Sequence, residues 1–474
     1  MNAPISRDRR FAPEALAALV GELASRFGER AVANASIREQ HGHGEGLADA
    51  ALPDLVVYPH TNEEVAEVVR ACAAHRVPVI AFGVGTSLEG HVAAIHGGVC
   101  VDLSQMNKVL EVNAEDLDCR VQAGVTREQL NADLKGTGLF FPIDPGANAT
   151  LGGMAATRAS GTNAVRYGTM RENVLGLTVV TADGRIVRTG GRARKSSAGY
   201  DLTRLIVGRE GTLGIITEVG LRLYGVPEAI SAAVAQFPDL RQAVATVIAA
   251  MQVGIPVARI ELLDAMQMDA CIRYSKLEGY EAKPTLFFEF HGTAAGVAEQ
   301  AELMQQIAGE HGGGAFRWAT AQEERTKLWK ARHNAYYAAL ALKPGCFGFS
   351  TDACVPISRL ADCVLETRAD IDATGLPCPI VGHVGDGNFH VLVLFDPKDP
   401  VEREKAEALA KRVSLRAIAM GGTCTGEHGV GIHKLDALEA EHGEAVELMA
   451  RVKRALDPLD IMNPGKTVPL PGAR

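Results

Sequence analysis

Short apolar strand patterns alternate with amphipathic helix patterns along most of this chain, and this alternation constrains the fold more than any other feature. A strand pattern at residues 55–58 is followed by a helix pattern that opens at Thr61 and Glu64, which form a capping box. Further strand patterns cover residues 77–82 and 232–237. The alternation predicts α+β domains in which sheets are covered by helices.

The length of 474 residues sets the expected number of domains. One hydrophobic core stops growing at roughly 250 to 300 residues, so we expect at least two domains. We place a helical lead-in at residues 1–52, with its helix at Pro13–Phe27, and a first domain at residues 53–226. A second domain follows at residues 227–440, and a C-terminal helix and tail occupy residues 441–474.

The composition excludes several classes of protein. The net charge of −9 and the pI of about 5.9 give no basic surface for nucleic acid. No run reaches the roughly 20 apolar residues that would span a bilayer, and residues 1–14 lack the apolar stretch of a signal peptide. Nine cysteines without a CxxC pair favour reduced thiols. We expect a cytoplasmic protein, with a peripheral position at the inner membrane as an open alternative.

Two glycine-rich loops in the first half indicate a long ligand. The loop at residues 83–87 follows a strand pattern directly, and its glycines would let backbone N–H groups turn toward a phosphate. A Rossmann motif does not fit, because the third glycine is displaced to Gly90 and no helix follows. An ordinary turn is the alternative for this loop alone. A second loop at residues 142–153, continuing to residues 160–168, favours a ligand spread across one face.

Two histidines flank a turn signal in the second half. The Asp-Gly pair at residues 386–387 predicts a two-residue turn, which would set His383 opposite His390. Opposed Cβ atoms lie about 5 Å apart, so both rings could reach one cation. Glu427 is the candidate third ligand, because a His/His/carboxylate set leaves positions for water or substrate, and its neighbour His428 is the candidate base. The alternatives are two histidines packed in a core, and a three-residue loop that separates their faces.

The first half resembles the FAD-binding domain of the vanillyl-alcohol oxidase/p-cresol methylhydroxylase superfamily. The matching segments are residues 83–90, 142–153, 160–168 and 208–216. The second half resembles the cap domain of FAD-linked D-2-hydroxyacid dehydrogenases, a group that includes cytochrome-type D-lactate dehydrogenase, the D-subunit of glycolate oxidase and D-2-hydroxyglutarate dehydrogenase. Its matching segments are residues 329–333, 382–390, 425–431 and 463–466.

This resemblance implies an α+β fold with a two-part FAD-binding domain of that superfamily and an α+β cap domain with an antiparallel sheet. The C-terminal tail would return to the FAD domain. Bound FAD is expected to be non-covalent, because Thr86 and Ser87 stand where tethering families place a histidine. The cofactor-binding residues implied are Gly83, Val84, Gly85, Thr86, Ser87, Gly90, Pro142, Asp144, Pro145, Gly146, Thr150, Gly152, Gly153, Ala155, Ser160, Gly161, Tyr167, Gly168, Glu210, Gly211, Gly214, Ile216 and Asn463.

The resemblance also implies an activity: oxidation of a small D-2-hydroxy acid by hydride transfer to flavin. Arg332 would grip the substrate carboxylate through its planar fork, unless it is a salt-bridged arginine. A cation held by His383, His390 and Glu427 would polarise the hydroxyl, and zinc fits, with manganese or iron as alternatives. His428 would take the hydroxyl proton, unless it is a structural histidine bonded to backbone.

Electrons would pass to an external cytochrome, quinone or electron-transfer flavoprotein, because the sequence shows no cytochrome-binding or iron–sulfur motif. Whether the protein forms a homodimer is left open.

The substrate is expected to carry a short or apolar side chain. The hydroxyglutarate branch is expected to use two residues for its distal carboxylate, a lysine on the strand after the arginine helix and an asparagine two residues past the second histidine. Residues 347–355 contain no lysine, and the residue two past His390 is the apolar Leu392. D-lactate therefore leads, with glycolate next and D-2-hydroxyglutarate as a weaker alternative. Two further rivals are a non-flavin metal hydrolase or lyase built on the same residues, and a subunit that holds FAD without substrate chemistry.

Overall fold

The structure, a computed structural model, describes residues 10–45, 51–319 and 321–470. It divides into two compact units. The first unit comprises residues up to 160, residues 169–225 and residues from 427 onward, and the second comprises residues 161–168 and 226–426. The predicted domain bounds differ from these units at three places. Residue 226, which was predicted to end the first domain, belongs to the second unit. Residues 161–168 belong to the second unit, and residues 427–440 belong to the first.

The elements are numbered in chain order. Residues up to 225 contain α1 (Pro13–Phe27), β1 (Ala31–Val32), α2 (Ala35–Gly42), β2 (Leu55–Val57), α3 (Asn62–His75), β3 (Val79–Phe82), β4 (Val99–Asp102), β5 (Val109–Asn113), β6 (Asp118–Gln122), α4 (Arg127–Asp133), β7 (Leu139–Phe140), α5 (Leu151–Thr157), α6 (Ala164–Tyr167), α7 (Met170–Asn173), β8 (Val174–Val180), β9 (Ile186–Gly190), α8 (Leu202–Ile206), β10 (Ile215–Arg222) and β11 (Tyr224–Gly225).

The remaining elements are β12 (Ala229–Gln236), α9 (Leu240–Val253), β13 (Arg259–Leu263), α10 (Ala265–Ser275), β14 (Thr285–Gly292), α11 (Ala294–Glu310), β15 (Arg317–Ala319), α12 (Gln322–His333), α13 (Ala335–Leu340), β16 (Phe347–Ser350), β17 (Ala353–Cys354), α14 (Leu360–Thr374), β18 (Ile380–Gly382), β19 (Asn388–Phe395), α15 (Pro400–Ala419), α16 (Leu435–His442) and α17 (Ala445–Leu456). None of the helices in the described ranges has the length and apolar character needed to cross a membrane.

The first unit contains two main sheets. One has the order β1-β2-β4-β3, and β4 pairs in parallel with both β2 and β3. Its strands β2 and β4 are buried at every residue, as expected for parallel strands covered on both faces. The helix predicted after Thr61 is confirmed as α3, and the Thr61 side chain caps it by accepting a hydrogen bond from the Glu64 N–H. The other sheet is antiparallel, with the order β5-β6-β10-β8-β9.

The second unit is built on one antiparallel sheet of eight strands, which confirms the predicted sheet of the second domain. Alternate residues of each strand point to opposite faces. On one face, Phe288 and Val391 pack with residues of α9, α11, α14 and α15. On the other face, Phe287 and Leu392 pack with residues of α10, α12 and α13. The second face carries the polar residues described below.

The hairpin between β18 and β19 has a different register from the predicted one. Val381 pairs with His390, so the prediction that His383 lies opposite His390 is wrong. Residues 384–386 form a 3₁₀ turn, and Gly387 follows with a φ of 77°. The connection is therefore longer than a two-residue turn, and His383 lies at its start.

Long-range packing explains this difference. A Cβ atom at Gly385 would lie 2.4 Å from the Ile260 side chain, and one at Gly387 would lie 2.1 Å from the Val355 carbonyl oxygen. Both glycines therefore let the connection pass close to neighbouring elements. Gly387, the glycine of the Asp-Gly pair, is thus needed for close packing against Val355. It does not form the tight two-residue hairpin that the local sequence favours.

Candidate active site

His383 and His390 meet even though they are not cross-strand partners. Their ring centroids lie 5.4 Å apart and their planes are nearly perpendicular, at 81°. His390 lies on β19 and points to the sheet face that α12 covers, because Phe389 and Val391 on either side pack on the opposite face. His383 reaches the same place from the start of the connection. The predicted histidine pair therefore forms, through a geometry that the local sequence did not indicate.

Both imidazoles are oriented through their Nδ1 atoms. The Nδ1 of His390 lies 2.9 Å from the Thr351 carbonyl oxygen, and because a carbonyl only accepts, this nitrogen donates its hydrogen. The Nδ1 of His383 lies 2.8 Å from a carboxylate oxygen of Glu261. Metal-binding histidines typically donate one ring N–H to a carbonyl or carboxylate and coordinate with the other nitrogen. The donor pattern of the pair thus fits a divalent cation at the Nε2 atoms.

A buried ion pair holds the predicted substrate arginine. Arg332 on α12 donates from Nε and Nη2 to one carboxylate oxygen of Glu261, over 3.0 and 2.6 Å. Glu261 on β13 is fully buried, with 0% of its surface exposed. Burial raises the pKa of Glu261, but His383 and Arg332 outweigh burial and hold this pKa below its ordinary value. Arg332 is therefore a salt-bridged arginine, which was the alternative to a substrate-binding role. Its other N–H groups, which do not bond Glu261, lie on the same buried face of the sheet.

Sequence reasoning missed Glu261. The available signal was a charged residue between two apolar residues of the strand pattern at residues 259–263. It also missed Asp352, which lies 3.7 Å from the His390 Nδ1 and accepts a hydrogen bond of 2.8 Å from Asn388. Both carboxylates are buried, and buried acids in a polar cluster are candidates for functional roles.

A second buried chain of polar groups is centred on His291 and Glu289 of β14 in the same unit. The Tyr167 hydroxyl lies 2.8 Å from the His291 Nδ1, and the His291 Nε2 lies 2.8 Å from a carboxylate oxygen of Glu289. Arg259 lies 3.4 Å from the same carboxylate. Three residues predicted to bind the cofactor, Gly161, Tyr167 and Gly168, thus belong to the second unit.

In the first unit, the predicted base His428 lies beside a buried carboxylate. The His428 Nδ1 is 3.7 Å from Glu89, the His433 Nδ1 is 3.3 Å from it, and the Lys434 ammonium is 2.7 Å from it. Burial raises the pKa of Glu89, but Lys434 and the two histidines hold this pKa well below its usual range. Glu89 was also missed, since it stands among the glycines of the first loop. Glu427 opens this last segment of the first unit, so the three-residue ligand set combines residues of both units and stays a prediction.

The two predicted cofactor loops of the first unit meet. A Cβ atom at Gly83 would lie 2.2 Å from the Thr150 hydroxyl, and Gly85 has a φ of 72°, which favours glycine. The Ser87 hydroxyl is buried and has no hydrogen-bond partner among the described residues. An unpaired buried hydroxyl beside close-packed glycines fits a loop that holds a phosphate-bearing cofactor.

Other predicted cofactor residues link distant segments. The Asn463 side chain donates to the carbonyl oxygens of Glu210 and His91, over 2.6 and 3.0 Å. The Glu210 carboxylate accepts hydrogen bonds from the N–H groups of Val430 and Gly431. These bonds give both side chains a structural role that the sequence did not indicate. The remaining first-unit residues lie in the first loop after β3, at the second loop and α5, or around the start of β10, namely Val84, Thr86, Gly90, Pro142, Asp144, Pro145, Gly146, Gly152, Gly153, Ala155, Ser160, Gly211, Gly214 and Ile216. Their cofactor contacts stay predictions.

Family models match most of the chain. One, described as an FAD binding domain, matches residues 53–190, and one described as FAD linked oxidases, C-terminal domain, matches residues 226–467. A Danio rerio protein named "Probable D-lactate dehydrogenase, mitochondrial" is 50% identical, covering 98% of this chain and 94% of its own. An Arabidopsis thaliana D-lactate dehydrogenase [cytochrome], mitochondrial, is 48% identical, covering 88% and 74%. The glycolate oxidase subunit GlcD of Bacillus subtilis is 35% identical, covering 88% and 89%.

Solved structures with this fold include p-cresol methylhydroxylase with substrate bound, with a TM-score of 0.80 and 18% identity over 97% of this chain and 98% of that one. The 4-ethylphenol oxidase from Gulosibacter chungangensis has a TM-score of 0.78 and 18% identity, covering 98% and 99%. This likeness confirms the predicted fold class, the vanillyl-alcohol oxidase/p-cresol methylhydroxylase type, and at such identity it concerns the fold alone.

Proposed function

This chain belongs to the FAD-linked oxidase family, and on that premise we propose that it oxidises a small D-2-hydroxy acid, first of all D-lactate, to the 2-oxo acid. One observation carries the proposal: His383, Glu261 and Arg332 form a hydrogen-bonded chain on one buried sheet face. A candidate cation ligand and a carboxylate-binding group thereby stand side by side. A 2-hydroxy acid presents the matching pair, a hydroxyl and a carboxylate on adjacent carbons.

Different residues of the chain would bind the cation, the cofactor and the substrate and would accept the proton. His383, His390 and Glu427 would hold a divalent cation, zinc or manganese, and the glycine loops of the first unit would hold non-covalent FAD. When bound, FAD supplies the hydride acceptor and the cation supplies Lewis acidity at the substrate hydroxyl. Arg332 would bind the carboxylate through the N–H groups that Glu261 does not engage. His428 would accept the hydroxyl proton, and the adjacent Glu89 carboxylate would stabilise the imidazolium that forms.

We expect D-lactate and D-2-hydroxybutyrate to bleach the flavin under anaerobic conditions, and L-lactate and D-2-hydroxyglutarate to do so poorly. Leu392, buried on the sheet face of His390, supports an apolar side chain on the substrate. The measurement is stopped-flow absorbance of the purified yellow protein, with glycolate as a fifth acid because one relative is a glycolate oxidase subunit. Equal or faster reduction by D-2-hydroxyglutarate would contradict the substrate proposal, and a colourless protein would favour the metal hydrolase.

The Arg332→Lys variant is expected to keep FAD but to need much more substrate. An ammonium group cannot hold Glu261 and grip a carboxylate with the planar geometry of a guanidinium. The loss of one charge-assisted hydrogen bond costs roughly 1.5 to 3 kcal/mol, which corresponds to about a 10- to 100-fold rise in KM for D-lactate. Steady-state kinetics test this, with Arg368→Lys as the control because Arg368 also binds a buried carboxylate, that of Asp264. Unchanged KM in Arg332→Lys would return Arg332 to a structural role.

The electron acceptor is proposed to be an external cytochrome, with a quinone or an electron-transfer flavoprotein as alternatives. The word cytochrome in the name of the Arabidopsis thaliana relative supports this choice. The cytoplasmic location stays a prediction, and the relatives' names place those proteins in mitochondria.

A further inference from the structure

We propose that Glu261 is a positioning residue that ties His383 to Arg332 and so selects acids whose hydroxyl and carboxylate lie on adjacent carbons. This inference rests on the proposed function, because it assigns His383 to the cation and Arg332 to the substrate carboxylate. Neither family models nor the histidine and arginine motifs point to Glu261. It follows from the position of one buried carboxylate between the two groups.

The two carboxylate oxygens are divided between the two partners. Oε1 lies 2.8 Å from the His383 Nδ1, and Oε2 accepts both hydrogen bonds from Arg332. The carboxylate is carried by β13, which pairs with β14 on one side and with β18 on the other. A central strand leaves little freedom for the backbone. His383 and Arg332 are therefore both oriented by one carboxylate whose backbone is held in the middle of the sheet.

The bond to His383 selects the protonation pattern of its ring. A carboxylate only accepts, so the Nδ1 of His383 must carry a hydrogen, which leaves the lone pair of the neutral ring on Nε2. That is the form that can coordinate a cation through Nε2. Glu261 thus acts on the cation without touching it.

The two bonds from Arg332 fix the plane of the guanidinium. Nε and Nη2 face Glu261, so the edge formed by Nη1 and the second hydrogen of Nη2 is aimed away from it. A substrate carboxylate would use this edge. Because the same carboxylate also orients His383, the spacing between the cation-binding nitrogen and the carboxylate-binding edge is set by one rigid group.

The energetics favour this role over a purely stabilising one. Burying a carboxylate and a guanidinium costs several kcal/mol, and replacing a buried ion pair with apolar residues is often neutral or stabilising. The neighbouring strand offers a built-in comparison. Glu289 on β14 also lies 2.8 Å from a histidine, His291, and 3.4 Å from an arginine, Arg259. It shares the charge and the burial of Glu261 but not the predicted ligand or the substrate arginine.

The Glu261→Gln variant tests the effect on the cation. The side-chain amide would best turn its oxygen toward Arg332 and its NH₂ group toward the His383 Nδ1. The Nδ1 atom would then have to accept, the ring hydrogen would move to Nε2, and that nitrogen could no longer coordinate. We expect Mn²⁺ affinity to fall about 10- to 100-fold, the usual effect of losing such a partner. Calorimetric titration of chelator-treated, FAD-loaded protein measures this, and Glu289→Gln is expected to keep wild-type affinity.

The Glu261→Asp variant tests the spacing. It keeps the charge, but its shorter side chain cannot reach both partners. Oxamate and malonamate differ by one CH₂ between the amide and the carboxylate, so the ratio of their inhibition constants reports the selected spacing. We expect the preference for oxamate to fall about 10- to 100-fold in Glu261→Asp, the effect of losing one charge-assisted hydrogen bond, and to be kept in Glu289→Asp.

The outcomes separate this inference from the proposed function. Wild-type protein that binds neither Zn²⁺ nor Mn²⁺, or whose flavin D-lactate does not reduce, contradicts the proposed function itself. Active wild-type protein with unchanged Mn²⁺ affinity in Glu261→Gln and an unchanged inhibitor ratio in Glu261→Asp contradicts only the role of Glu261. If Glu261→Gln is recovered without its flavin spectrum, the inhibitor ratio of Glu261→Asp decides alone.

Discussion

Replacing His390 with alanine is expected to remove the bound divalent cation and nearly all flavin reduction by D-lactate, while the yellow FAD spectrum persists. His390 would supply one of the two nitrogen ligands of the histidine pair, and its ring is held by the Thr351 carbonyl. With one ligand of three removed, the remaining set no longer binds a cation tightly. FAD should stay, because His390 is not among the residues predicted to hold FAD and lies outside residues 53–190, which match an FAD binding domain.

His291→Ala is the matched control for this variant. His291 is a buried histidine of the same sheet and bonds a carboxylate, but it lies outside the predicted ligand set. Elemental analysis and anaerobic flavin reduction of both variants give the answer. Loss of stability in both, with metal lost only in His390→Ala, is the expected pattern. Full metal content and normal turnover in His390→Ala would mean that the histidine pair only packs, and the proposed chemistry would lose its central step.

Local signals predicted the secondary structure well and the hairpin badly. Helix α1 has the predicted bounds, because its start at Pro13 and its apolar spacing are properties of adjacent residues. The Asp-Gly turn failed because the shape of that connection depends on its packing against Ile260 and Val355. Such contacts join residues far apart in sequence, so the residues next to the turn do not reveal them.

The candidate site shows the same limit. Histidine, arginine and glycine motifs led to His383, His390 and Arg332, because these residue types carry recognisable chemistry. Glu261 was missed because its partners lie 122 and 71 residues away, at His383 and Arg332. The structure was needed to show that a charge in an apolar strand completes a chain of hydrogen bonds. Glu89 is a parallel case, since a carboxylate in a glycine loop gives no sign of the two histidines beside it.

The local surroundings of His428 make it possible to test the predicted base separately from the predicted cation ligands. His428 and His433 flank the same Glu89 carboxylate, at 3.7 and 3.3 Å, and Lys434 neutralises part of its charge. Both histidines are largely buried, with 11% of each side chain exposed. Only His428 is predicted to take the substrate proton, so the two histidines can be compared in one environment.

We expect His428→Ala to retain FAD and metal but to reduce the flavin about 10² to 10⁴ times more slowly with D-lactate, the usual contribution of general-base catalysis. His433→Ala should lose the same imidazole volume beside Glu89 and keep most of the rate. Stopped-flow absorbance at saturating D-lactate measures the reduction step, and elemental analysis confirms the metal. Because both variants leave Glu89 and Lys434 in place, a structural role of this cluster would slow both to a similar degree. Equal rates in the two variants would therefore remove His428 from the mechanism.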